Sequence, residues 1–595
     1  MICRPDVWFH GLIRAGLVVA LVLGAAASAS PASDSLAKAA TALERGDGIA
    51  AEAAARSALD AGADRSDVAA FLGEADLLQG DLSAARGWLG AGEFSAATEE
   101  RGYHALGRLQ LEEGDFAAAA QSFDRALETG RASARLWIDI GRLRYRAGQH
   151  HLAVDAAARA IAIDPADPRA LEFQAQLTRD ATGVVAALPW FERALEKAPD
   201  DLGLLGEYAA TLSEAGRHKD MLRAARRMVE LDPRDPRGYF LQAVLAARAG
   251  LNDLARRLMS RTNGAYDEVP AGQLLAGVLE LRTGNAALAV ERFDELARRQ
   301  PDNAVAQLLL GRALLAHGEA NEVVARFAAA ANHPEASPYL LALVGRAHEQ
   351  LGARAEAARY LDRAAGAGGS ALAVLPAGAE GALPGGAGAA VARVRQFLAQ
   401  GRGGEARAIA AELVDRFPDS IDVEILSGDA ALLTGNPAGA LAAYGRAAAV
   451  RRDFALTERM VAAHQMLGQK QAAVEVLAAY LAQNPRSASA SALLGRLLAR
   501  RGDWRRASLL LDHARNLCAG DARLLADLAD AELAVGEPAA AREAAGRAYA
   551  LQRANGRVAA TLARVMQAGE GSGREAQALL AKVDKLAEPT ALAQR

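Results

Sequence analysis

The sequence predicts an all-α protein built as a long stack of paired helices, and three observations predict it. Glycine returns every 34 residues at Gly46, Gly80, Gly114, Gly148, Gly216, Gly250, Gly284, Gly318 and Gly352, with Thr182 and its neighbour Gly183 taking one beat. The beat resumes at Gly401, Gly435, Gly468, Gly502 and Gly536. Small residues also recur in two further fixed slots, and apolar residues make up 51% of the 595 while aromatics are only 5%. A period in this range marks stacked copies of one small unit, each too small to bury its apolar face alone. Alanine-rich helices packed through small residues suit that composition.

Each unit reads as two helices. Around Gly148, Trp137, Ile140 and Gly141 fall on one face of a first helix, and Ala153, Ala157 and Ala160 make the matching stripe on a second. Gly148 sits where the first helix must stop and the chain reverse, a position that favours positive φ. Pro165 closes the second helix, as do Pro199, Pro233, Pro301, Pro418 and Pro485, because proline lacks the N–H that continues a helix. Gly107, Gly141, Gly277, Gly311, Gly345, Gly428 and Gly495 share one slot of the first helix. Ala119, Ala153, Ala187, Ala289, Ala357, Ala440 and Ala507 share one slot of the second. These slots predict close approach between the paired backbones.

With Trp137, Ile140, Gly141, Gly148, Ala153, Ala157, Ala160 and Pro165 in one copy, and Ala276, Gly277, Gly284, Ala289, Phe293, Leu296 and Pro301 in another, the chain resembles the tetratricopeptide repeat family. About fifteen copies run from Ser35 to Leu551, and a degenerate last copy to Val583 reads as a cap. The resemblance implies an α-solenoid: a right-handed superhelix of stacked antiparallel helix pairs whose first helices line a concave inner face. The large aromatic favoured at the start of the first helix appears as Trp137, Tyr103 and Tyr239 but is missing from many copies, and the copy at Thr182 lacks its turn glycine.

Along the chain, residues 1–29 read as a cleaved secretory signal. Arg4 and Arg14 precede the apolar run Ala15 to Ala27, and Ala27, Ser28 and Ala29 offer the small-residue pattern of a cleavage site. Export with an alanine- and arginine-rich composition like that of a high-GC bacterium points to the periplasm; the alternative is an uncleaved anchor in the inner membrane facing the periplasm. Residues 30–364 form an N-terminal stack of about ten repeats, 365–390 a Gly/Ala/Pro-rich hinge or inserted loop, 391–583 a second stack of about five repeats with its cap, and 584–595 a tail. Cys3 would leave with the signal, so Cys518 has no partner and packing alone holds the exported chain.

No catalytic or cofactor pattern is present. The ten histidines are dispersed without a second ligand at metal spacing, and the adjacent pair His150 and His151 reads as solvated turn residues. Gly569, Gly571 and Gly573 follow a helix instead of a strand, so they read as a linker and not a phosphate loop. No cofactor and no metal are therefore expected. A formal net charge of -4 makes neither nucleic acid nor an anionic membrane a default partner, so membrane contact is expected only through an uncleaved N-terminal segment.

The inner wall carries the functional expectation. The family geometry places Arg108, Arg142, Arg312, Arg346, Arg395 and Arg496 in one inward slot, with Arg101, Arg135, Arg146, Arg169 and Arg179 in neighbouring ones. From about Arg101 to Arg179 these make a basic array apt for carboxylates of a peptide end, an acidic segment or an acidic glycan. The competing reading is ordinary solvated arginine, or pairing with Glu112 and Asp139. Further along, Phe240, Leu274, Val278, Leu308 and Leu315 make the wall more apolar, suited to an amphipathic helix or extended peptide. A non-enzymatic envelope scaffold for protein or peptide partners follows; the alternatives are a component of polysaccharide synthesis or export that contacts acidic glycans, and an enzyme active at the Ala365 to Ala390 break.

Overall fold

The computed structural model describes residues 31–333, 336–366, 388–569 and 573–587. Within them the chain forms thirty-two α-helices and no strand, and successive helices pair, from Pro31–Glu44 with Gly48–Asp60 to Gly556–Gln567 with Gly573–Ala587. Ten pairs precede residue 367 and six follow residue 387. The expected signal segment, most of the expected hinge and the expected tail beyond residue 587 lie outside the described residues, while residues 584–587 of that tail belong to the last helix.

The chain divides into two compact units, one up to Ala132 and one from Ser133 onward. The first unit holds three helix pairs, with Leu43, Ala51, Ala55, Val68 and Leu72 at its main core and a smaller cluster of Leu89, Ala105 and Leu109. The second holds the other thirteen pairs.

Local signals explain why helices start where they do. The residue before the first helix of a unit is repeatedly Ser, Asp or Asn, and its side chain accepts from the free N–H groups of the first turn. Ser133 caps Leu136, Asp167 caps Arg169 and Ala170, Asp201 caps Leu204, and Asn555 caps Val558. Proline follows such a cap at Pro168, Pro236 and Pro338, where its missing N–H costs nothing. Between the two helices of a unit, Gly148 adopts φ +77, the left-handed conformation that lets the chain reverse in two residues.

The small slot of the first helix is filled by a large side chain, which is a different use from close backbone approach. A Cβ at Gly107 would lie 2.4 Å from Phe123, at Gly277 2.6 Å from Phe293, and at Gly428 2.3 Å from Tyr444, all rings from the second helix of the same pair. Where that second helix offers only Ala157, the ring comes from the next pair instead, and a Cβ at Gly141 would lie 2.5 Å from Phe173.

Within the second unit the six pairs after residue 387 return along the seven pairs that open it. The His150 N–H donates to the Asp419 carbonyl at 2.8 Å and the Arg452 N–H to the Asp180 carbonyl at 2.8 Å. The Ala554 N–H donates to Glu349 Oε1 at 2.5 Å and the Gly556 N–H to Asp362 Oδ1 at 3.0 Å. At Gly183, with φ +136, a Cβ would lie 2.7 Å from Gln483 and 2.8 Å from the Asn484 amide. The one beat at which the turn glycine is displaced is thus a place where the second stack is seated.

Gly428→Ala should cost about 1–3 kcal/mol by overpacking. The Tyr444 ring it meets is fully buried, and its hydroxyl is fixed on Asp429 Oδ1 at 2.7 Å, an atom that Arg459 Nε also holds at 2.8 Å. Urea unfolding reads this cost, and an unchanged midpoint would show that the ring has room to retreat.

Candidate partner-binding surface

In the first unit, the two predicted inward arginines converge on one carboxylate. Arg101 Nη1 lies 2.6 Å from Glu74 Oε2 and its guanidinium covers the Phe71 ring at 5.1 Å, while Arg108 Nη1 lies 3.6 Å from Glu74 Oε1. Their acidic partner is therefore on the preceding pair.

In the second unit the predicted basic slots split into engaged and open side chains. Arg142 stands 4.0 Å from Glu172 and 5.9 Å from the Phe173 ring, and Arg179 reaches Glu207 at 3.2 Å and Thr211 Oγ1 at 3.3 Å. Burial raises the Glu172 pKa against the opposing charge of Arg142. Arg135 is half-buried. Arg146 and Arg169 are exposed, and neither has an acidic group within 4 Å among the described residues. Arg496 is consumed by Asp527, which also takes Arg557.

The apolar portion of the expected wall is half-buried at Phe240, Leu274, Val278 and Leu308 and buried at Leu315. Phe240 is stacked face to face on Tyr266 at 4.0 Å, Leu274 and Leu308 are half-buried against a cluster containing Phe293, Leu310 and Leu314, and Leu315 belongs to that cluster. Arg312 is exposed and Arg346 is half-buried. Burial holds the Arg346 pKa below its ordinary value, against the pull of Glu349.

Several inward slots are covered by the chain itself. Counting 34 residues from Arg146 gives Asp180, then Glu214, then Arg248, and the Asp180 carbonyl already accepts from Arg452. Tyr145 donates its hydroxyl to Asp180 Oδ2 at 2.5 Å beside this contact. Next to it, the Ile421 N–H donates to His150 Nδ1 at 3.4 Å, Arg451 pairs with Asp422 at 2.5 Å, and Glu424 takes Arg446 at 2.8 Å with His151 3.6 Å away. His150, Asp422 and Glu424 are only 3%, 3% and 4% exposed. His150 is therefore not a solvated turn residue: the second stack lies over it. The acidic pair Asp422 and Glu424 in the first turn of the helix Ile421–Leu433 was the available sequence signal for this seam.

Among the described residues no group of three or more His, Cys, Asp or Glu side chains could hold a metal, and no helix is long and apolar enough to cross a membrane. The model of the family described as tetratricopeptide repeat matches residues 104–168, 138–201, 274–331, 391–455 and 463–522. The chain is a tetratricopeptide repeat protein. Among solved structures it is similar to the Cut9–Hcn1 hetero-tetramer of the APC/C, at 15% identity over 90% of this chain and 97% of that one with TM-score 0.25. It is also similar to MamA, at 20% identity over 28% and 97% with TM-score 0.26. A tetratricopeptide repeat protein from Parabacteroides merdae aligns at 14% identity over 45% and 93% with TM-score 0.24. No curated protein matches the chain. At such TM-scores the family assignment stands on the matched repeats and the helix pairs.

The seam between the two tetratricopeptide repeat stacks should be acid-sensitive. Burial, with Arg451 and His151 adding to it and Asp422 opposing, lowers the His150 pKa from 6.5 to about 4. The folded state holds the ring neutral, so its contribution is full above pH 6.5 and is lost as pH falls toward about 4. That gap is worth about 3 kcal/mol at most. His150→Asn should flatten the fall in unfolding free energy between these pH values, and a variant as steep as the wild type would place the acid sensitivity elsewhere.

Proposed function

We propose that this chain is a non-enzymatic scaffold of the bacterial cell envelope that holds a protein or peptide partner, through an acidic segment, on the inward slots of its early repeats. Tetratricopeptide repeats are protein-interaction scaffolds, and the described chain is spent almost entirely on them. The observation that carries the finer reading is the pair Arg146 and Arg169: exposed guanidiniums in slots expected to face inward, beside the partly engaged Arg142, with no carboxylate of their own within 4 Å among the described residues. Arginine forks of this kind suit planar carboxylates, and the association they drive should weaken with salt. The signal-like segment Arg4 to Ala29 supports export, and an unprocessed segment would tether the scaffold to the inner membrane.

Replacing Arg142, Arg146 and Arg169 together by Ala should leave the unfolding free energy within about 1 kcal/mol of the wild type, since Arg146 and Arg169 have no acidic group within 4 Å among the described residues and the Arg142–Glu172 contact is long and partly exposed. The same change should weaken binding of acidic peptides at least tenfold in fluorescence anisotropy and remove the crosslinked partner from the envelope fraction. Partners retained unchanged would return these arginines to ordinary surface. An acidic polysaccharide bound in place of a peptide, with the same arginine dependence, would instead select the glycan reading. Recovery of the protein from the cytoplasmic fraction would overturn the envelope assignment.

A further inference from the structure

An open cavity of about 330 Å³ lies on the seam between the two stacks, lined by Val184, Glu214 and Arg248 from the first and by Asn484, Arg486 and Ser487 from the second. Its charges do not balance. Arg248 and Arg486 have no acidic group within 4 Å among the described residues, and Glu214, the one carboxylate in the lining, pairs with neither. Arg248 Nη1 spends its hydrogen bonds on the Ser213 carbonyl at 3.3 Å and on the Ser213 hydroxyl. Arg486 Nη1 lies 3.2 Å from His218 Nε2, a ring whose Nδ1 is buried without a partner. Burial lowers the pKa of Arg248, and the charge of Arg486 lowers it further. Burial and the same two guanidiniums lower that of His218. Across the cavity Arg248 thus meets the unfavourable charge of Arg486 and, more weakly, the favourable charge of Glu214.

The rest of the lining supplies donors of the same kind. Val184 opens the fourteen-residue helix Val184–Lys197, whose cap is Gly183 and carries no capping side chain, so its first-turn N–H groups are left at the cavity. Asn484 offers an amide here, held by its bond to the Tyr480 carbonyl at 3.1 Å. A seam that brings two guanidiniums, a helix N-terminus and an amide to one place, with a single carboxylate, has the electrostatics of an oxyanion site.

We propose that this cavity binds a small oxyanion, a carboxylate or a phosphate, between Arg248 of the first stack and Arg486 of the second, and that the bound anion fastens the two stacks together. The guanidiniums come from residues 238 positions apart, so the anion touches both stacks only when they are docked. Binding is therefore linked to docking, and the docked form gains stability as the site fills.

The test uses the full chain titrated with sodium citrate and with sodium phosphate at constant ionic strength, sodium chloride serving as the control, and follows the thermal midpoint and the calorimetric binding heat. Expected is a saturable rise of the midpoint with citrate, phosphate or both, absent with chloride; the anion that gives it identifies the chemistry. Arg486→Gln keeps a donor for His218 but removes the charge, and should weaken the affinity at least tenfold. Without anion that variant should be no less stable than the wild type, because a repulsion has been relieved. Should it not fold, Arg248→Gln reads the same loss from the other stack. Equal midpoints in all three salts, or a saturable response that survives both substitutions, would overturn the proposal.

Discussion

A large side chain set over a glycine of the first helix is the contact on which the rest of this structure depends. Tyr444 over Gly428, Phe293 over Gly277 and Phe123 over Gly107 each fill space that any Cβ would occupy, so the pair closes only at one rotation and one height. Because that geometry recurs with the turn glycines, the direction of the stack is set locally, pair by pair. The copy without a ring of its own shows the constraint by its remedy: Ala157 leaves the slot of Gly141 open, and Phe173 of the following pair enters it. The slots proposed for binding inherit this precision, since Arg142 is the residue after Gly141 and its bearing follows from the same contact.

A simple repeat array gains stability only from neighbours. Here the return of the second stack adds contacts of long sequence separation, His150 to Asp419 and Glu349 to Ala554 among them. Closing such loops costs entropy that grows slowly with length, so one seam can couple distant pairs without a large penalty. It also explains why the inward slots are unequal. Those near Asp180 and Glu349 are used internally, whereas Arg146 and Arg169 remain open to solvent.

The helix pairs, their turns and their approximate number were legible in the sequence because glycine φ and proline punctuation are local requirements. The caps at Ser133, Asp167 and Asn555 were equally local and went unread beside the stronger glycine signal. The inward slots could be placed by counting, yet whether an arginine is open depends on neighbours that counting does not supply: Glu74 takes Arg101 from the preceding pair, and Asp527 takes Arg496 from the following one. The seam was not legible at all as a contact. It joins segments 194 to 271 residues apart in its hydrogen bonds to His150, Glu349 and Asp362, and its marks, the displaced Gly183 and the acidic Asp422 and Glu424, gain meaning only once the two stacks lie side by side.

Those marks answer a difficulty peculiar to repeats. Two arrays of near-identical units can dock in several registers, each one pair apart, with similar apolar burial in every case. Buried ion pairs seldom add much stability, because desolvation offsets their attraction, but a misplaced charge is expensive. Asp422 and Glu424 lie 13 and 11 residues before their turn glycine Gly435; the same places before Gly468 hold Ala455 and Thr457. Likewise Gly183, where a Cβ would strike Asn484, is matched 34 residues to either side by Gln149 and Arg217, which carry side chains. A slip of one pair would take Glu424 away from His151 and Ile421 away from His150, and set a side chain where Gly183 now leaves room. The seam therefore selects one register by penalising the others, which a purely apolar contact between two alanine-rich stacks could not do.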